Sequence, residues 1–438
     1  MKRHILMKRS FAAIMSAAML TAGLSGCTNS KQPESTGTKT EISNETEAGG
    51  GTPDANENGL RRVSDAEDVK LKVWVETASV EMVSGMADDF AAMYPDKNFS
   101  IEVLANSPSK AQENIKKDPD AAADVFYMPH DQLGQMVESG VIYENTLYAD
   151  KIKEEQTDAA YDSVTYKGAV YGYPYGLESM ILYYNKSKLS EEDVKSFDSL
   201  TSKGKIGLNL LTAGSSYALL PVFFSNGCVL YGEDGEDPAG STFNTEQGVQ
   251  ALQWIADLKN NPNVVAANEE ILSNLESGVI DAAIAGPWQK NDMMDALGEN
   301  FACAPYPTID LGNGPVQQMS FQGVKIIAVN AATQFPLEAM AFADYLSSKE
   351  MQEKRYEVIG TLPSNKELLK SEQVTSNEFS TAVAEMIEPD HSVLTPKIPQ
   401  TVTLWQQSEA IISDAYNGVL KSEDDMMTKL EELVQNIQ

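Results

Sequence analysis

Apolar residues recur with two different periods in the first part of the folded region. They alternate with polar residues from Leu71 to Val75 and from Phe99 to Leu104, which predicts two β-strands. From Val80 to Met93 they are spaced by three and four positions, which predicts an amphipathic helix. The stretch from Asp124 to Tyr127 predicts a third strand, and a helix follows from about Asp131 to Glu138. Strands that alternate with helices predict an α/β fold around a parallel sheet, with a ligand at the carboxyl ends of the strands.

The remainder of the chain has a less regular pattern. Strands are predicted at Val170–Pro174 and Met180–Tyr184, and helices at Glu246–Leu258 and Pro336–Leu346. At about 150 residues per domain, a chain of 438 residues suits two or three packed units.

The first 27 residues have the pattern of a lipoprotein signal peptide. Basic residues between Lys2 and Arg9 precede an apolar stretch, Phe11–Leu24, which ends in Leu24-Ser25-Gly26-Cys27. We expect removal of residues 1–26 and acylation of Cys27, which would anchor the protein on the extracellular face of the cell membrane. No later segment reaches the roughly 18 apolar residues that span a bilayer, so lipid alone would attach the protein to the membrane.

Residues 27–67 are predicted to form the acylated cysteine and a disordered linker. This stretch is rich in Ser, Thr, Glu, Asn and Gly, and beyond Cys27 its large apolar residues are Ile42, Leu60 and Val63. Such a composition buries too little surface to fold. We therefore expect a flexible tether between the membrane and the folded part.

The net charge excludes some classes of function. The chain has 64 acidic and 33 basic residues, a formal net charge of −31. Nucleic-acid binding draws its affinity from cations that neutralise phosphates, and binding to anionic lipid needs a basic surface. Both are disfavoured, and the acidity indicates a well-solvated surface.

Residues suited to catalysis or metal binding are scarce. His130 and His391 lie far apart, without a second ligand at metal spacing, and no nucleophile elbow or phosphate-binding glycine loop is present. Cys228 and Cys303 could form a disulfide outside the cell, but two unrelated apolar positions are the favoured interpretation. We therefore expect neither a metal nor a cofactor, and the sequence disfavours an enzyme.

Aromatic residues in turn-rich settings are the main candidates for ligand binding. They are Tyr217 after Gly214-Ser215-Ser216, Trp288 after Gly286-Pro287, and Trp405 shortly after Pro399-Gln400. An aromatic face buries the C–H surface of a sugar ring, while carboxylates and hydroxyls bind its hydroxyl groups. Each residue could instead belong to the core, which is the better explanation for Trp254 inside a predicted helix.

The order of these motifs resembles the maltose/maltodextrin-binding type of extracellular solute-binding protein, which serves ABC importers. The resemblance runs from about Lys70 to the C-terminus. Its segments are Val73-Trp74, Asp124-Val125-Phe126 with His130-Asp131, Tyr173-Pro174 with Glu178, Leu182-Tyr183-Tyr184-Asn185-Lys186, Gly286-Pro287-Trp288, and Ile398-Pro399-Gln400 with Trp405. Tyr-Asn-Lys is common among solute-binding proteins. Gly-Pro-Trp with the later Ile-Pro-Gln and Trp is narrower and indicates the maltodextrin branch.

The resemblance implies two sets of ligand contacts. The first is the aromatic residues that stack on sugar rings: Tyr217, Trp288 and Trp405. The second is the carboxylates that accept hydrogen bonds from sugar hydroxyls: Glu76, Asp131 and Glu178. For Asp131 a helix cap, and for Glu178 a solvated hinge carboxylate, are the alternative interpretations.

Two positions in the same region depart from the family pattern. Met128 stands where the family often has an aromatic residue, and Gln132 stands where it often has a basic one. Both positions are retained as ligand-binding candidates. Tyr127 and Tyr175 could supply the missing ring surface, and the departures leave the preferred sugar and chain length open.

The family fold implied is a two-lobed α/β, periplasmic-binding-protein-like architecture, with a hinge that the chain crosses three times. We place one lobe at residues 68–175 plus 326–372 and the other at residues 178–322 plus 373–438. Such proteins close around the ligand by hinge bending. The sequence therefore favours a lipid-anchored, monomeric receptor that delivers maltooligosaccharides to the permease subunits of an ABC importer. The alternatives are a receptor for another oligosaccharide, of galactoside or xylan type, and a secreted carbohydrate-active enzyme.

Overall fold

A computed structural model describes residues 60–267 and 269–438 of the protein. The predicted signal peptide, Cys27 and most of the predicted linker lie outside the described residues. Within the described part, no helix is both long and apolar enough to cross a membrane.

Helices make up the larger share of the described elements. The α-helices, in chain order, are α1 Val80–Ala92, α2 Ala111–Lys117, α3 Leu133–Glu138, α4 Ala149–Glu155, α5 Asp158–Val164, α6 Phe197–Lys203, α7 Ser215–Leu219, α8 Pro221–Ser225, α9 Glu246–Asp257, α10 Ile271–Glu276, α11 Lys290–Leu297, α12 Pro336–Ser347, α13 Lys349–Ile359, α14 Lys366–Leu369, α15 Glu372–Thr375, α16 Glu378–Glu385, α17 Thr401–Tyr416 and α18 Glu423–Asn436. Short 3₁₀ helices lie at Thr77–Ser79, Pro108–Lys110, His130–Gln132, Asp193–Lys195, Leu258–Asn260, Pro287–Gln289 and Gly298–Asn300.

The strands are short, and most of them belong to two sheets. In chain order they are β1 Asp68–Val75, β2 Asn98–Ala105, β3 Val125–Pro129, β4 Thr165–Tyr166, β5 Ala169–Val170, β6 Tyr173–Ser179, β7 Ile181–Asn185, β8 Ile206–Leu208, β9 Val264–Ala266, β10 Ala282–Ala285, β11 Phe301–Ala304, β12 Thr308–Asp310, β13 Pro315–Gln317, β14 Ser320–Val329 and β15 Ser392–Leu394.

The first sheet contains the three strands predicted at the start of the folded part. Its order is β15-β14-β3-β1-β2, and β6 also pairs with β14. β1 is parallel to β2 and β3, whereas β14 is antiparallel to both β3 and β6. The prediction of a purely parallel sheet is therefore wrong, since β14 returns from far along the chain and enters the sheet in the opposite direction.

The second sheet has the order β11-β7-β10-β8-β9. It is also mixed, because β7 is antiparallel to β10 and β11, while β8 is parallel to β9 and β10. The predicted strand Val170–Pro174 is divided in the structure, with one end in β5 and the other in β6.

Burial follows the periodicities from which β1 and α1 were predicted. In β1 the buried residues are Val69, Leu71, Val73 and Val75, which is every second position. In α1 they are Met82, Val83, Met86, Ala87 and Phe90, which form one face of the helix. The two elements thus turn their apolar sides toward a shared core.

Among the described strands, the chain passes to the second sheet after β6, at Met180, and returns to the first sheet with β14, before Ser320. After α15 and α16 it enters the first sheet again as β15, so the third hinge crossing stays a prediction. The lobe boundaries expected at 175–178 and 322–326 therefore fall inside β6 and β14, because these strands extend to the passages themselves. Where two passages meet, the Ser179 and Ser320 hydroxyls lie 2.5 Å apart, and the Ser320 hydroxyl donates to the Met386 carbonyl.

Residues 60–67 differ from the linker that their composition predicts. The Arg61 guanidinium lies 2.5 Å from the Asp344 carboxylate on α12, and the Ser64 backbone N–H donates to Glu338 on the same helix. Lys97 donates to the carbonyls of Ser64 and Ala66. These polar contacts act together with partial burial of Leu60, Val63 and Ala66 against the core. The polar contacts had no signal in the hydrophobicity of the segment.

Cys228 and Cys303 are both buried, and neither forms a disulfide. Burial raises the pKa of the Cys228 thiol to about 11 and that of the Cys303 thiol to about 12. Two unrelated apolar positions are thus the interpretation that the structure supports.

Candidate functional site

A cavity of about 630 Å³ is lined by strand residues of the first sheet and by residues of the turns and helices that follow β8 and β10 of the second sheet. Its volume is within the range of small-molecule sites, about 300–1,000 Å³. Its walls are formed by Glu76, Ala78, Ser107–Ser109, Met128–Asp131, Tyr175, Leu177, Glu178, Met180, Gly214, Tyr217, Pro287, Trp288, Lys290, Asn291, Gly323, Lys325, Ile359–Leu362, Phe379, Val383 and Thr395. Six of the eight predicted ligand-binding residues are in this set: Glu76, Met128, Asp131, Glu178, Tyr217 and Trp288.

Two of the carboxylates reach the cavity because of strand direction. β1 and β3 are parallel neighbours, with Val73 opposite Val125, so their carboxyl ends meet at one edge of the sheet. Glu76 directly follows β1, and Asp131 lies in the 3₁₀ turn after β3. Glu76 Oε1 accepts a hydrogen bond from the Ser79 hydroxyl at 2.8 Å, whereas its buried Oε2 has no partner among the described residues.

Asp131 is held by the indole of Trp405. Its Oδ2 accepts a hydrogen bond from Trp405 Nε1 at 3.1 Å, and its buried Oδ1 has no partner within the described chain. Burial raises the pKa of Asp131 to about 6, because the low-dielectric surroundings disfavour the ionised form more than the indole hydrogen bond favours it. One acceptor oxygen is thus fixed and the other is free for a ligand.

His130 is a structural neighbour of Asp131. Its Nδ1 accepts from the Val324 backbone N–H at 3.1 Å, so its Nε2 carries the proton and donates to the Thr395 carbonyl at 2.7 Å. Burial lowers the pKa of His130 to about 4, which keeps the ring neutral. This ring joins the end of β3 to β14 and to the segment after β15.

Glu178 is compensated by a lysine on the facing strand. Lys325 Nζ lies 2.9 Å from Glu178 Oε2, and the Glu178 side chain is only 9% exposed. Burial by itself lowers the pKa of Lys325, but the carboxylates of Glu178 and Glu76 outweigh it, so the pKa is raised overall. The ammonium also lies 5.9 Å from the centroid of the Trp288 ring.

Gly323 on β14 makes the close packing of this region possible. A Cβ atom there would lie 2.7 Å from Glu178 Cγ and 2.9 Å from the Tyr217 hydroxyl oxygen. Neither neighbour could remain in place beside a side chain at this position.

The three predicted aromatic residues converge in space. The Tyr217 ring centroid lies 6.0 Å from that of Trp405 and 6.5 Å from that of Trp288. Phe321 stacks on Tyr217 at 5.6 Å and packs against Trp405 edge-on at 5.3 Å. Trp288 is 53% exposed, so its indole has free surface for a ligand.

The structure does not place Trp405 and Gln132 on the wall of the cavity. Trp405 contacts two residues that do line the cavity: its indole N–H donates to Asp131, and its ring packs against Tyr217. Gln132 is buried, and its Nε2 donates to the Ser109 carbonyl at 3.1 Å. Met128 does line the cavity and is almost fully buried.

Tyr175 lines the cavity, whereas Tyr127 packs behind it. Their ring centroids are 4.9 Å apart, and the Arg355 guanidinium lies 4.4 Å from the Tyr175 centroid. Arg355 Nη2 donates to the Tyr127 hydroxyl at 2.8 Å. Ring surface next to Met128 is therefore supplied by Tyr175.

The sequence interpretation missed the cations of the site. Lys325 lies in β14, Ser320–Val329, whose other residues are all buried. A single charged residue within this otherwise uncharged run was the one sequence feature that could have identified it as a site residue. Lys290 and Asn291 begin α11 directly after the Pro287–Gln289 turn and offered no comparable signal.

Chemically, the cavity combines carboxylate acceptors, one ammonium paired with a carboxylate, and exposed indole surface. It has the donors, acceptors and apolar faces that a neutral polyhydroxylated ring requires. Among the described residues, no group of three or more His, Cys, Asp or Glu is arranged to hold a metal ion.

The chain matches proteins of known type. Residues 85–381 match the family model described as bacterial extracellular solute-binding protein. The maltodextrin-binding protein MdxE of Bacillus subtilis (strain 168) is 24% identical over 459 aligned residues, covering 99% of this chain and 98% of that protein. The galactooligosaccharide-binding protein of the same organism is 26% identical, covering 81% and 86%.

The fold also matches solved structures. The maltodextrin-binding protein MalE1 from L. casei BL23, solved without ligand, is 36% identical, with a TM-score of 0.79 over 84% of this chain and 99% of that one. The two-lobed α/β fold and the family resemblance predicted from the motifs are confirmed. Because the family model covers more than half of the sequence, the chain belongs to the bacterial extracellular solute-binding proteins.

Proposed function

We propose that this protein binds maltooligosaccharides outside the cell and delivers them to an ABC importer. The observation that carries the proposal is the free surface of the cavity. Glu76 Oε2 and Asp131 Oδ1 are buried acceptors without partners in the described chain, and the 53% exposed indole of Trp288 lines the same cavity. Buried acceptors without partners are costly, so a ligand that donates hydroxyl hydrogen bonds to them would recover this energy.

Charge compensation supports a neutral ligand. Lys325 already neutralises Glu178 at 2.9 Å, and burial raises the pKa of Asp131 to about 6, which reduces the charge it imposes on the site. A hydrogen bond from a hydroxyl to a carboxylate is stronger than one between neutral groups. A neutral sugar therefore gains affinity from hydrogen bonds to these carboxylates and needs no charge of its own to neutralise them.

The relatives support an α-glucan as the sugar. MdxE and the L. casei protein are both described as maltodextrin-binding. The aromatic surface of Trp288 and Tyr175 suits the apolar faces of successive glucose rings.

Delivery to an importer is proposed to depend on closure of the two lobes. The cavity is lined by strands of the first sheet and by the turns and helices that follow β8 and β10 of the second, so a sugar that contacts both sides favours the closed arrangement. The degree of closure then follows the difference in sugar affinity between closed and open states.

Membrane attachment through Cys27 is a separate part of the proposal. The sequence before Cys27 supports a lipid anchor on the extracellular face. The variant Cys27→Ser should move the protein from the membrane fraction to the culture medium. Retention of that variant in the membrane fraction would contradict lipid anchoring through this residue and leave sugar binding untouched.

Isothermal titration calorimetry of the purified folded region tests the ligand. We expect heat of binding with maltotriose and much weaker or absent heat with raffinose and xylotriose. An absence of heat with maltotriose would refute the α-glucan assignment.

A galactooligosaccharide is the second candidate ligand, because the Bacillus subtilis galactooligosaccharide-binding protein is 26% identical to this chain. The same titration separates the two, since this candidate predicts that a galactooligosaccharide binds and maltotriose does not.

Recovery of the sugar unchanged after prolonged incubation would exclude the enzymatic alternative.

A further inference from the structure

A second cavity continues from the first, next to Trp288. Its volume is about 250 Å³, and four residues line both cavities: Lys290, Asn291, Ile359 and Gly360. It lies where the start of α11 meets the end of α13 and the segment that carries α15 and α16. The two cavities therefore adjoin at these four residues.

Lys290 stands at the junction of the two cavities. Its ammonium lies 4.4 Å from the centroid of the Phe379 ring, and within the described chain it forms no ion pair or hydrogen bond. Burial lowers the pKa of Lys290, as expected for an ammonium taken partly out of water without a carboxylate beside it. Such a group is suited to donate hydrogen bonds to ligand oxygens.

Gly360 leaves the space that Lys290 occupies. A Cβ atom at this position would lie 3.2 Å from Lys290 Nζ, and the backbone φ of Gly360 is 71°, in the left-handed region that favours glycine. The turn at the end of α13 thus keeps the junction open.

The remaining walls of the second cavity carry hydroxyl and amide groups in fixed positions. The Tyr356 hydroxyl donates to the Gln373 carbonyl at 2.9 Å, and the Ser380 hydroxyl lies 2.9 Å from the Tyr356 hydroxyl. The Ser380 hydroxyl in turn lies 3.2 Å from Asn377 Oδ1. These side chains retain unused donor or acceptor capacity, and the Asn291 amide has no partner among the described residues.

We propose that this second cavity is a subsite for one further sugar unit at the end of the oligosaccharide that extends beyond Trp288. Lys290 and Asn291 bind the hydroxyls of that unit, and the Tyr356–Ser380 pair forms the far wall. The carboxylate of Glu357 also lines the cavity, so its walls carry one acidic and one basic side chain, which favours a neutral unit over an anionic one. The subsite rests on the proposed function, because it extends the same binding site.

A chain-length series tests the subsite. Titrations with maltotriose, maltotetraose, maltopentaose and maltoheptaose would use the wild-type protein and two variants. Lys290→Met removes the ammonium and keeps the stem over Phe379, and Gln373→Trp fills the second cavity without altering a residue of the first. Lys429→Met on α18 is the control for loss of one positive charge.

We expect the wild-type affinity to rise at least fivefold from maltotriose to the longer chains. Gln373→Trp should lose this gain while binding maltotriose within twofold of the wild type. Lys290→Met should lose most of the gain and a smaller part of its maltotriose affinity, and Lys429→Met should behave as the wild type. The subsite is refuted if affinity does not rise with length, or if the variants keep the gain or lose affinity equally at every length.

Failure of the wild type to bind any maltooligosaccharide is a different result and would refute the proposed function. In that case the same variants would be titrated with galactooligosaccharides of increasing length, and this second series tests the subsite. A length-dependent gain that Gln373→Trp abolishes and Lys290→Met largely removes would support it, and any other pattern would overturn it.

Discussion

Two groups of residues on the cavity wall, the His130–Asp131 end and the Glu178–Lys325 end, each hold a buried carboxylate and stabilise it in different ways. At the His130–Asp131 end, Asp131 is held by the neutral indole of Trp405, and burial raises its pKa to about 6. At the Glu178–Lys325 end, Glu178 faces an ammonium at 2.9 Å. The first end can therefore change its charge near neutral pH, whereas the second depends on keeping a pair of opposite charges.

The difference separates the roles of the two ends. The paired end is vulnerable to loss of either partner, because the remaining charge would be left buried. The indole-held end tolerates a neutral replacement, yet it should make binding depend on pH. The predictions below test this contrast, beginning with the largest effect.

The variant Lys325→Met should reduce the free energy of unfolding by about 3 kcal/mol, because it leaves the Glu178 carboxylate buried without its partner. Asp131→Asn should cost less than about 1 kcal/mol, since the amide oxygen can still accept from Trp405. Urea denaturation of both variants at pH 7 measures the difference. An equal loss of unfolding free energy in the two variants would contradict the proposed difference between the ends.

His130 should make the His130–Asp131 end sensitive to acid. Its folded-state pKa of about 4 lies below the ordinary value of 6.5, so the unfolded chain takes up a proton first as the pH falls. Its contribution to stability is complete above about pH 6.5 and is lost toward pH 4, with about 2 kcal/mol lost between pH 7 and pH 5.

The variant His130→Gln is the comparison for that titration, because an amide can replace both hydrogen bonds without binding a proton. The difference in unfolding free energy between wild type and variant should shrink by this amount from pH 7 to pH 5. A difference that is constant over this range would exclude the titration of His130 as its source.

Trp288→Ala should weaken sugar binding by about 1–2 kcal/mol, because the exposed indole is lost as a stacking surface. Trp254→Ala is the control, since Trp254 packs edge-on against Phe197 and does not line the cavity. Calorimetric titration with maltotriose measures both. Unchanged affinity in Trp288→Ala would remove this residue from the site.

The smallest predicted effect is the pH dependence of affinity caused by Asp131. Below its pKa of about 6 the carboxyl group is protonated and accepts hydroxyl hydrogen bonds less well, so affinity should fall about fourfold from pH 7 to pH 5.5. Asp131→Asn should bind more weakly at pH 7 and lack this slope. A slope of the same size in that variant would assign the effect to another group.

The same raised pKa has the opposite sign for stability. Between about pH 4 and pH 6 the folded chain holds a proton on Asp131 that the unfolded chain has released, so this group lowers stability as the pH rises. His130 and Asp131 are adjacent in sequence and act in opposite directions on the same pH scale.

Local periodicity predicted the elements whose burial is one-sided. β1, α1 and β2 lie within three residues of their expected bounds, because alternate or three-four spacing places the apolar residues on one face. The direction of β14 was not predictable in this way, since it pairs with β3 from nearly 200 residues away and its own residues are buried on both faces.

The site was predicted where motifs carry it. Glu76, Asp131 and Trp288 were predicted from the family resemblance of their motifs, and all three line the same cavity. Gln132 donates to the Ser109 carbonyl and does not line the cavity, so its contact with a ligand stays a prediction. Lys290 and Asn291 escaped prediction because their position depends on how α11 meets the end of α13.

The decisive measurement is a crystal structure of the folded region with maltotetraose. We expect sugar hydroxyls within hydrogen-bond distance of Asp131 Oδ1 and Glu76 Oε2, and one glucose ring over the indole of Trp288. A complex in which both oxygens remain free of sugar, with the Trp288 ring uncovered, would contradict it.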